Sequence, residues 1–145
     1  MGKVIEIGIT SSKGSEIQKV SQVEAVKGKG LLKDRKFRES NLENCQVTLI
    51  EIENINYYNN KSKAKIMPLL FRRNIVTENI RLNELVGKEF FVGGVKLKAH
   101  DLCEPCKYLE KKLNQENLVK TLLSKAGVRC EILTSGTISI GDIIK

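Results

Sequence analysis

Two of the four cysteines and the only histidine lie in the segment His100-Asp-Leu-Cys-Glu-Pro-Cys106. Pro105 suits the first turn of a helix, which we expect over residues 106–113. A thiol at a helix start and beside a rigid proline is well placed to attack sulfur or to bind a soft metal. Cys106 is therefore the leading candidate for a nucleophile, a sulfur carrier or a metal ligand, with Cys103 as its candidate assistant.

Two other roles for these sulfurs compete with this one. His100, Cys103 and Cys106 could hold zinc with Cys130 or Cys45 as the fourth ligand, but structural zinc sites normally supply a second Cys/His pair at a set distance. Cys103 and Cys106 also have the spacing of a redox pair, but the βαβ pattern of thioredoxin-like proteins is missing. Cys45 and Cys130 stand among apolar strand residues, where we expect them to be packed in the core.

A strand-like segment over residues 69–77 carries Arg72, Arg73 and Asn74 in its middle. Arginine binds phosphate through two parallel hydrogen bonds, and asparagine adds donors and tolerates a left-handed backbone. The three residues are therefore candidate phosphate contacts. The alternative is that both arginines face solvent on an edge strand and pair with glutamates.

The remaining pattern indicates a single domain over residues 1–145. Strands are expected from alternating apolar residues over 3–10, 20–26, 46–50, 88–92, 95–99, 128–133 and 137–144. Gly93-Gly94 suits a type I′ hairpin. Helices are expected over 51–58, 82–85 and 106–113, with a further one capped by Asn114 and stopped by Gly127. Helices do not alternate with strands, so we predict a mostly β, barrel-like fold with a few peripheral helices.

Composition limits the classes of partner. The net charge of +8 suits a ligand that carries phosphate, but the lysines are scattered and aromatic residues are only 5% of the chain, which argues against nucleic acid. A basic nucleotide- or nucleic-acid-binding module with inert cysteines remains the alternative of another class. No apolar run approaches the roughly 20 residues that span a bilayer. No export signal is evident, so we expect a cytoplasmic protein with reduced cysteines.

Several segments together resemble one known family. They are Gly30-Leu-Leu-Lys-Asp-Arg-Lys36, Gln46-Val-Thr-Leu-Ile-Glu51, Phe71-Arg-Arg-Asn-Ile-Val-Thr77, Leu85-Val-Gly87, Val92-Gly-Gly-Val95, Cys103-Glu-Pro-Cys106 and Gly136-x4-Gly141-Asp142. Each motif is weak alone, but their order resembles that of the MOSC domain, the C-terminal domain of molybdenum cofactor sulfurases.

This resemblance implies a β-barrel that binds molybdenum cofactor (molybdopterin) or carries sulfur destined for metal centres. Cys106 corresponds to the family's molybdenum ligand or persulfide carrier. Arg72 and Asn74 correspond to the cofactor-binding segment, and Asp34 and Arg35 to the family's charged loop. We expect the Cys106 thiol and the Arg72 guanidinium to face one cleft.

The resemblance also implies partners. A sulfur carrier needs a cysteine desulfurase or another sulfur donor, and a molybdenum enzyme or cofactor-biosynthesis protein as acceptor. The same site in related enzymes reduces N-hydroxylated compounds, which would require a separate electron donor. Two residues depart from the family pattern, since Lys33 replaces a glycine and Lys36 a histidine or tyrosine. The chain also lacks the pyridoxal-phosphate domain of complete sulfurases, so it is not expected to extract sulfur from cysteine by that route.

Overall fold

Strands dominate the regular structure of residues 1–145, all of which a computed structural model describes. The strands are Gly2–Ile9 (β1), Gln18–Val20 (β2), Gln22–Val26 (β3), Gly30–Leu31 (β4), Val47–Glu51 (β5), Ile75–Glu78 (β6), Glu89–Val92 (β7), Val95–Leu102 (β8), Val128–Ile132 (β9), Gly136–Ser139 (β10) and Ile143–Ile144 (β11). The α-helices are Ile52–Ser62 (α1), Lys107–Leu113 (α2) and Leu118–Leu122 (α3). Short 3-10 helices occupy Pro68–Phe71 and Leu82–Leu85.

Seven of the strands close into a barrel. Their order is β11-β7-β8-β9-β5-β6-β1, and β1 pairs with β11 to complete the ring. All neighbours in this ring are antiparallel except β5 and β6. β2 extends from β1, and β10, β3 and β4 form a separate three-stranded sheet. The predicted mostly β, barrel-like fold is confirmed.

Two apolar cores hold this arrangement together. The first fills the barrel, because alternate residues of a strand point to the same side. In β8, for example, Val95, Leu97 and Ala99 are buried whereas Lys96 and Lys98 are not. The second core lies between the outer face of the barrel and the helices. It fixes the segment after Cys106, because α2 and α3 bury leucines there. No helix is both long and apolar enough to cross a bilayer.

The segment before β6 differs from its prediction. Residues 68–71 form a 3-10 helix, Arg72 is left-handed with φ of +66°, and the strand begins only at Ile75. A short apolar run fits a strand or a helix equally well, and Pro68 favours a helical start. Consequently Arg72, Arg73 and Asn74 lie on a turn that enters the strand, and the edge-strand alternative is wrong.

Three smaller predictions are also corrected. Asn114 ends α2 in a left-handed conformation, with φ of +54°, and does not begin α3. The predicted strand 20–26 is interrupted at Ser21. Only Gly93 of the Gly93-Gly94 pair has positive φ, so the hairpin is not type I′, which needs positive φ at both positions.

Candidate functional site

The cysteine segment joins the end of β8 to the start of α2. The Cys103 amide donates to the Gly127 carbonyl at 2.8 Å, and Pro105 is buried, so both ends of the turn are anchored. Cys106 is the N-cap residue of α2, and its carbonyl accepts from the amides of Leu109 and Glu110. The Cys106 side chain is exposed and Cys103 is half-buried. A thiol at this position can reach a partner in solution.

The Arg73 side chain supports the cysteine segment through hydrogen bonds to its backbone. Its guanidinium donates to the carbonyls of Cys103 (2.9 Å), Glu104 (3.3 Å), Ala126 (2.9 Å) and Phe71 (3.2 Å). Arg73 is only 9% exposed, and no carboxylate lies within ion-pairing distance of it. The positive charge of Arg73 is therefore stabilised by the dipoles of backbone carbonyls alone. Two of these carbonyls belong to the turn that carries Cys106.

Arg72 has the opposite environment. Its backbone amide donates to the Leu69 carbonyl and closes the 3-10 helix, but its half-buried side chain makes no hydrogen bond and no ion pair. Its guanidinium is therefore available to an anion. Arg73, and not Arg72, makes the direct contact with the cysteine segment, whereas a common cleft for Arg72 and Cys106 stays a prediction.

Asn74 joins the arginine turn to the loop that carries Asp34. Its amide nitrogen donates to the Gly8 carbonyl (3.1 Å) and to Asp34 Oδ1 (3.4 Å). Its side-chain oxygen accepts from the Thr48 amide and the Thr48 hydroxyl, both at 3.2 Å. Asn74 and Asp34 are both buried. Because these bonds use both donors and both acceptor positions of the amide, Asn74 positions the two segments in this structure.

Two hydrogen bonds join the Asp34 loop to Thr10, the residue after β1. Asp34 Oδ1 accepts from the Thr10 amide at 2.9 Å, and the Arg35 amide donates to the Thr10 carbonyl at 2.6 Å. The Arg35 guanidinium makes no hydrogen bond or ion pair. Lys33 has φ of +72°, a left-handed conformation that glycine adopts without steric cost. The lysine therefore retains the backbone shape that the family's glycine would give, at a cost in strain.

A shallow groove lies beside this loop. It has a volume of about 250 Å³, and its lining includes Ile9, Val20, Val23, Leu32 and Lys33. Its walls are largely apolar, as is usual for small-molecule sites. The groove is open to solvent, so a ligand there would lie in a cleft and not in a closed cavity.

The other two cysteines have different surroundings. Cys130 is fully buried in the barrel, as predicted, and this burial raises the pKa of its thiol well above the usual range. Cys45 is half-buried, so the prediction that it belongs to the core is wrong. Its amide donates to the Leu42 carbonyl in a turn, so Cys45 lies before β5, which begins only at Val47.

The zinc alternative built on His100 and the cysteines is not supported. His100 Nε2 lies 2.8 Å from Glu131 Oε1 and 3.9 Å from Glu43 Oε2. These three residues form the only group of three potential metal ligands within reach of one another, and it contains no cysteine. The histidine is therefore hydrogen-bonded to Glu131 on the barrel wall, and Glu43 approaches it from the loop before β5.

Sequence reasoning missed several residues of the site. Thr48 satisfies Asn74, Thr10 holds the Asp34 loop, and the Ala126-Gly127 turn accepts from both Arg73 and Cys103. Gly127 has φ of +105°, and a Cβ there would lie 2.0 Å from the Leu49 carbonyl oxygen. Its stop signal was visible, but its close contact with β5 depends on the tertiary fold.

Comparisons with known proteins agree with this architecture. The family model described as MOSC domain matches residues 29–145. The YuaD protein from Bacillus subtilis has 18% identity and a TM-score of 0.79, with 99% of this chain and 94% of that chain covered. YiiM from Geobacillus stearothermophilus has 15% identity and a TM-score of 0.80, with coverages of 99% and 74%. YiiM from Escherichia coli has 14% identity and a TM-score of 0.73, with coverages of 99% and 68%.

A comparison with curated protein sequences finds no match. At these identities the solved structures establish the fold alone, whereas the family model covers the charged loop, the arginine turn and the cysteine segment in one alignment. The chain therefore belongs to the MOSC domain family.

Proposed function

We propose that this chain handles molybdenum cofactor during its maturation, with Cys106 accepting a sulfur atom as a persulfide. One observation carries the proposal. Three segments far apart in the sequence are hydrogen-bonded to one another, through the Asp34–Asn74 contact at 3.4 Å and the Arg73–Cys103 contact at 2.9 Å. The result is an exposed thiol on the same bonded framework as two arginines, Arg72 and Arg35, that have no partner.

The sulfur transfer requires only a nucleophilic thiol and a donor. The Cys106 thiolate would attack the outer sulfur of a persulfide on a cysteine desulfurase or another donor. A Cys106–S–SH bond forms, the donor's S–S bond breaks, and the donor leaves as a thiolate. The exposed position of Cys106 allows two proteins to bring their sulfurs together, whereas a buried thiol would not. The acceptor then removes the outer sulfur by the same chemistry.

The residues also fit the cofactor itself. Molybdopterin carries a phosphate, which Arg72 and Arg35 would hold with charge-assisted hydrogen bonds. A soft metal accepts a thiolate, and Cys106 would supply it. When bound, the cofactor would contribute molybdenum redox and sulfur-ligand chemistry. Arg73, Asn74 and Asp34 would not contact it directly in this scheme, because their bonds hold the three segments in place.

Trapping the persulfide tests the carrier role. The protein is incubated with a cysteine desulfurase and cysteine, alkylated and analysed by mass spectrometry after digestion. We expect the added sulfur on Cys106 in the wild type. It should be absent in Cys106→Ser and retained in Cys45→Ser, which is the matched control. Equal labelling of the wild type and Cys106→Ser, with sulfur found elsewhere, refutes the assignment.

Cofactor binding is tested separately. The protein is purified from cells that make molybdopterin, and the retained pterin is measured by its fluorescence after oxidation. Arg72→Gln and Arg35→Gln should lose most of it. Lys145→Gln removes a positive charge from an exposed residue that is far from both arginines in the sequence, and it should lose none. If all three variants retain the same amount, the arginines do not hold the cofactor.

A further inference from the structure

The barrel carries a second cluster of ligating side chains, on its outer wall. We propose that Glu43, His100 and Glu131 form a binding site for a first-row divalent cation such as Zn²⁺. One ligand atom from each residue lies within 4.8 Å of the other two. Imidazole nitrogen and carboxylate oxygens are ordinary ligands of Zn²⁺, and three protein ligands leave a position open.

His100 lies at a β-bulge beside Glu131. Ala99 of β8 faces Cys130 of β9, but Asp101 faces the next residue, Arg129, so His100 is the extra residue on its strand. A bulge changes the direction of a side chain and is often found beside functional sites. The His100 Nε2 reaches Glu131 Oε1 of β9 at 2.8 Å.

Glu43 comes from the loop between β4 and β5. Asn44 donates to Asp101 Oδ2 at 3.3 Å, which ties the loop to β8 one residue beyond the bulge. Asn41 donates to the carbonyls of Lys29 and Lys36, both at 2.7 Å, and holds the preceding turn. Glu43 is therefore presented to the barrel wall by a braced loop. Its Oε2 lies 3.9 Å from His100 Nε2.

The charge of the cluster is not balanced by the protein. Neither Glu43 nor Glu131 has a lysine or arginine within 4.0 Å, although the chain carries a net charge of +8. Lys98 faces Glu131 across the strands but makes no ion pair with it. The nearest arginine of β9, Arg129, is occupied by Asp101 through two hydrogen bonds. The two carboxylates thus approach the same imidazole, and neither has a lysine or arginine partner. A bound divalent cation would neutralise their negative charge.

Only small movements would convert this cluster into a coordination shell. Zinc ligands lie about 2.0–2.2 Å from the metal, so two ligands of a tetrahedral ion are about 3.4 Å apart. The Glu131–His100 distance would open from 2.8 Å and the Glu43–His100 distance would close from 3.9 Å, each by about half an ångström. The two carboxylates lie within 4.8 Å of each other and would approach by at most about 1.4 Å. A groove of about 520 Å³, lined by Glu43, His100 and the neighbouring loop residues, leaves space for a water or an external ligand.

Cation binding would have a structural consequence for the loop. Glu43 belongs to the same loop as Asp34, whereas His100 and Glu131 belong to the rigid wall. A bound ion would therefore cross-link the loop to the barrel. This inference does not depend on the proposed sulfur chemistry, because no cysteine belongs to the ligand set.

The experiment uses a Cys45→Ser/Cys103→Ser/Cys106→Ser background, because the three accessible thiols would compete for the metal. Zn²⁺ is titrated by calorimetry, and Co²⁺ is used as a spectroscopic substitute. The background protein should bind one equivalent of Zn²⁺. Its cobalt spectrum should show ligand-field bands without a thiolate charge-transfer band.

His100→Gln and Glu131→Gln in that background should each weaken Zn²⁺ binding by at least about tenfold, since each removes a direct ligand. Glu16→Gln, at an exposed residue with no partner, is the matched control and should bind as the background does. Circular dichroism checks the fold of each variant, and Glu43→Gln replaces any that fails to fold. Absence of stoichiometric binding, or full affinity in the ligand variants, overturns the proposal.

Discussion

The guanidinium of Arg73 is the central support of the proposed site, and replacing it with methionine tests this directly. Arg73→Met keeps a long side chain in the same space and removes four hydrogen bonds to backbone carbonyls. We expect the turn between Cys103 and Cys106 to loosen and the whole domain to lose stability.

The size of the loss follows from the four carbonyls. Those of Cys103 and Glu104 lie on a surface turn and can rotate towards water once released. Those of Phe71 and Ala126 belong to buried residues and stay unsatisfied, at about 1–3 kcal/mol each. Methionine avoids the desolvation cost of a buried charge, which offsets part of this. The free energy of unfolding should therefore fall by about 2–4 kcal/mol, and by about half as much in Arg73→Lys, which keeps the charge but not the planar fork.

Two measurements separate the local effect from the global one. Urea unfolding gives the change in free energy. Hydrogen exchange in native buffer reports the Cys103 amide, whose bond to the Gly127 carbonyl at 2.8 Å depends on the same turn. Relative to the wild type, Arg73→Met should speed exchange of this amide by a larger factor than it speeds exchange of the core amides of β5. The reason is that local opening of the turn adds to global unfolding.

Arg72→Met is the matched control, one residue away. The Arg72 side chain makes no hydrogen bond or ion pair, so its loss should change the free energy of unfolding by less than about 0.5 kcal/mol. Its effect should fall on cofactor retention alone. If Arg73→Met and Arg72→Met unfold at the same urea concentration and protect the Cys103 amide equally, Arg73 does not support the turn.

Three further predictions concern other parts of the molecule. Hydrogen bonds from Arg129 hold the pKa of Asp101 below its usual range, so the pair adds stability above the unfolded pKa and loses it as the pH falls through the folded pKa. Because both side chains are more than a third exposed, Asp101→Asn should lower the free energy of unfolding by only about 0.5–1 kcal/mol at neutral pH. Urea unfolding over a pH series should show this difference from the wild type vanish in acid, and a difference that stays constant with pH would contradict the prediction. Burial raises the pKa of the Cys130 thiol, so iodoacetamide should label Cys106 and leave Cys130 unmodified until urea unfolds the barrel, and equal labelling in native buffer would show that the barrel opens. Lys33→Gly should raise the free energy of unfolding by about 0.5–1 kcal/mol in urea titrations, because relief of the left-handed strain exceeds the entropy cost of glycine, whereas a decrease would mean that the lysine side chain makes a compensating contact.

Most of the barrel could be predicted from local patterns. β1, β7 and β8 alternate apolar and polar residues, and the Gly93-Gly94 pair marks the hairpin between the last two. These signals depend only on residues that are close in the sequence. A strand with one face in the core shows the same alternation whichever strands it pairs with. The prediction of a strand from residue 69 is wrong at its start, because the three adjacent apolar residues at 69–71 have no period that separates a strand from a 3-10 helix.

The division of labour within the site could not be predicted in the same way. Arg72 and Arg73 are chemically identical and adjacent, yet one is buried under the cysteine turn and the other has no partner. The left-handed residue at Arg72 turns the chain between them, and nothing in an Arg-Arg-Asn sequence indicates this turn. The same applies to His100, since its approach to Glu131 depends on the register of β8 against β9.

Charge gives the strongest physical reason to expect an anion at this framework. Arg35, Arg72 and Arg73 belong to segments joined through Asn74, and no carboxylate lies within 4.0 Å of any of the three guanidiniums. Moving an arginine out of water costs several kcal/mol, and proteins usually offset this with a paired acid. Here Arg73 donates to backbone carbonyls, and the Asp34 carboxylate accepts hydrogen bonds from Thr10 and Asn74. The Glu104 carboxylate likewise accepts from the Ser124 amide. An arrangement that uses its carboxylates for positioning, and leaves the Arg35 and Arg72 guanidiniums unpaired, keeps their positive charge available to a ligand such as a phosphate.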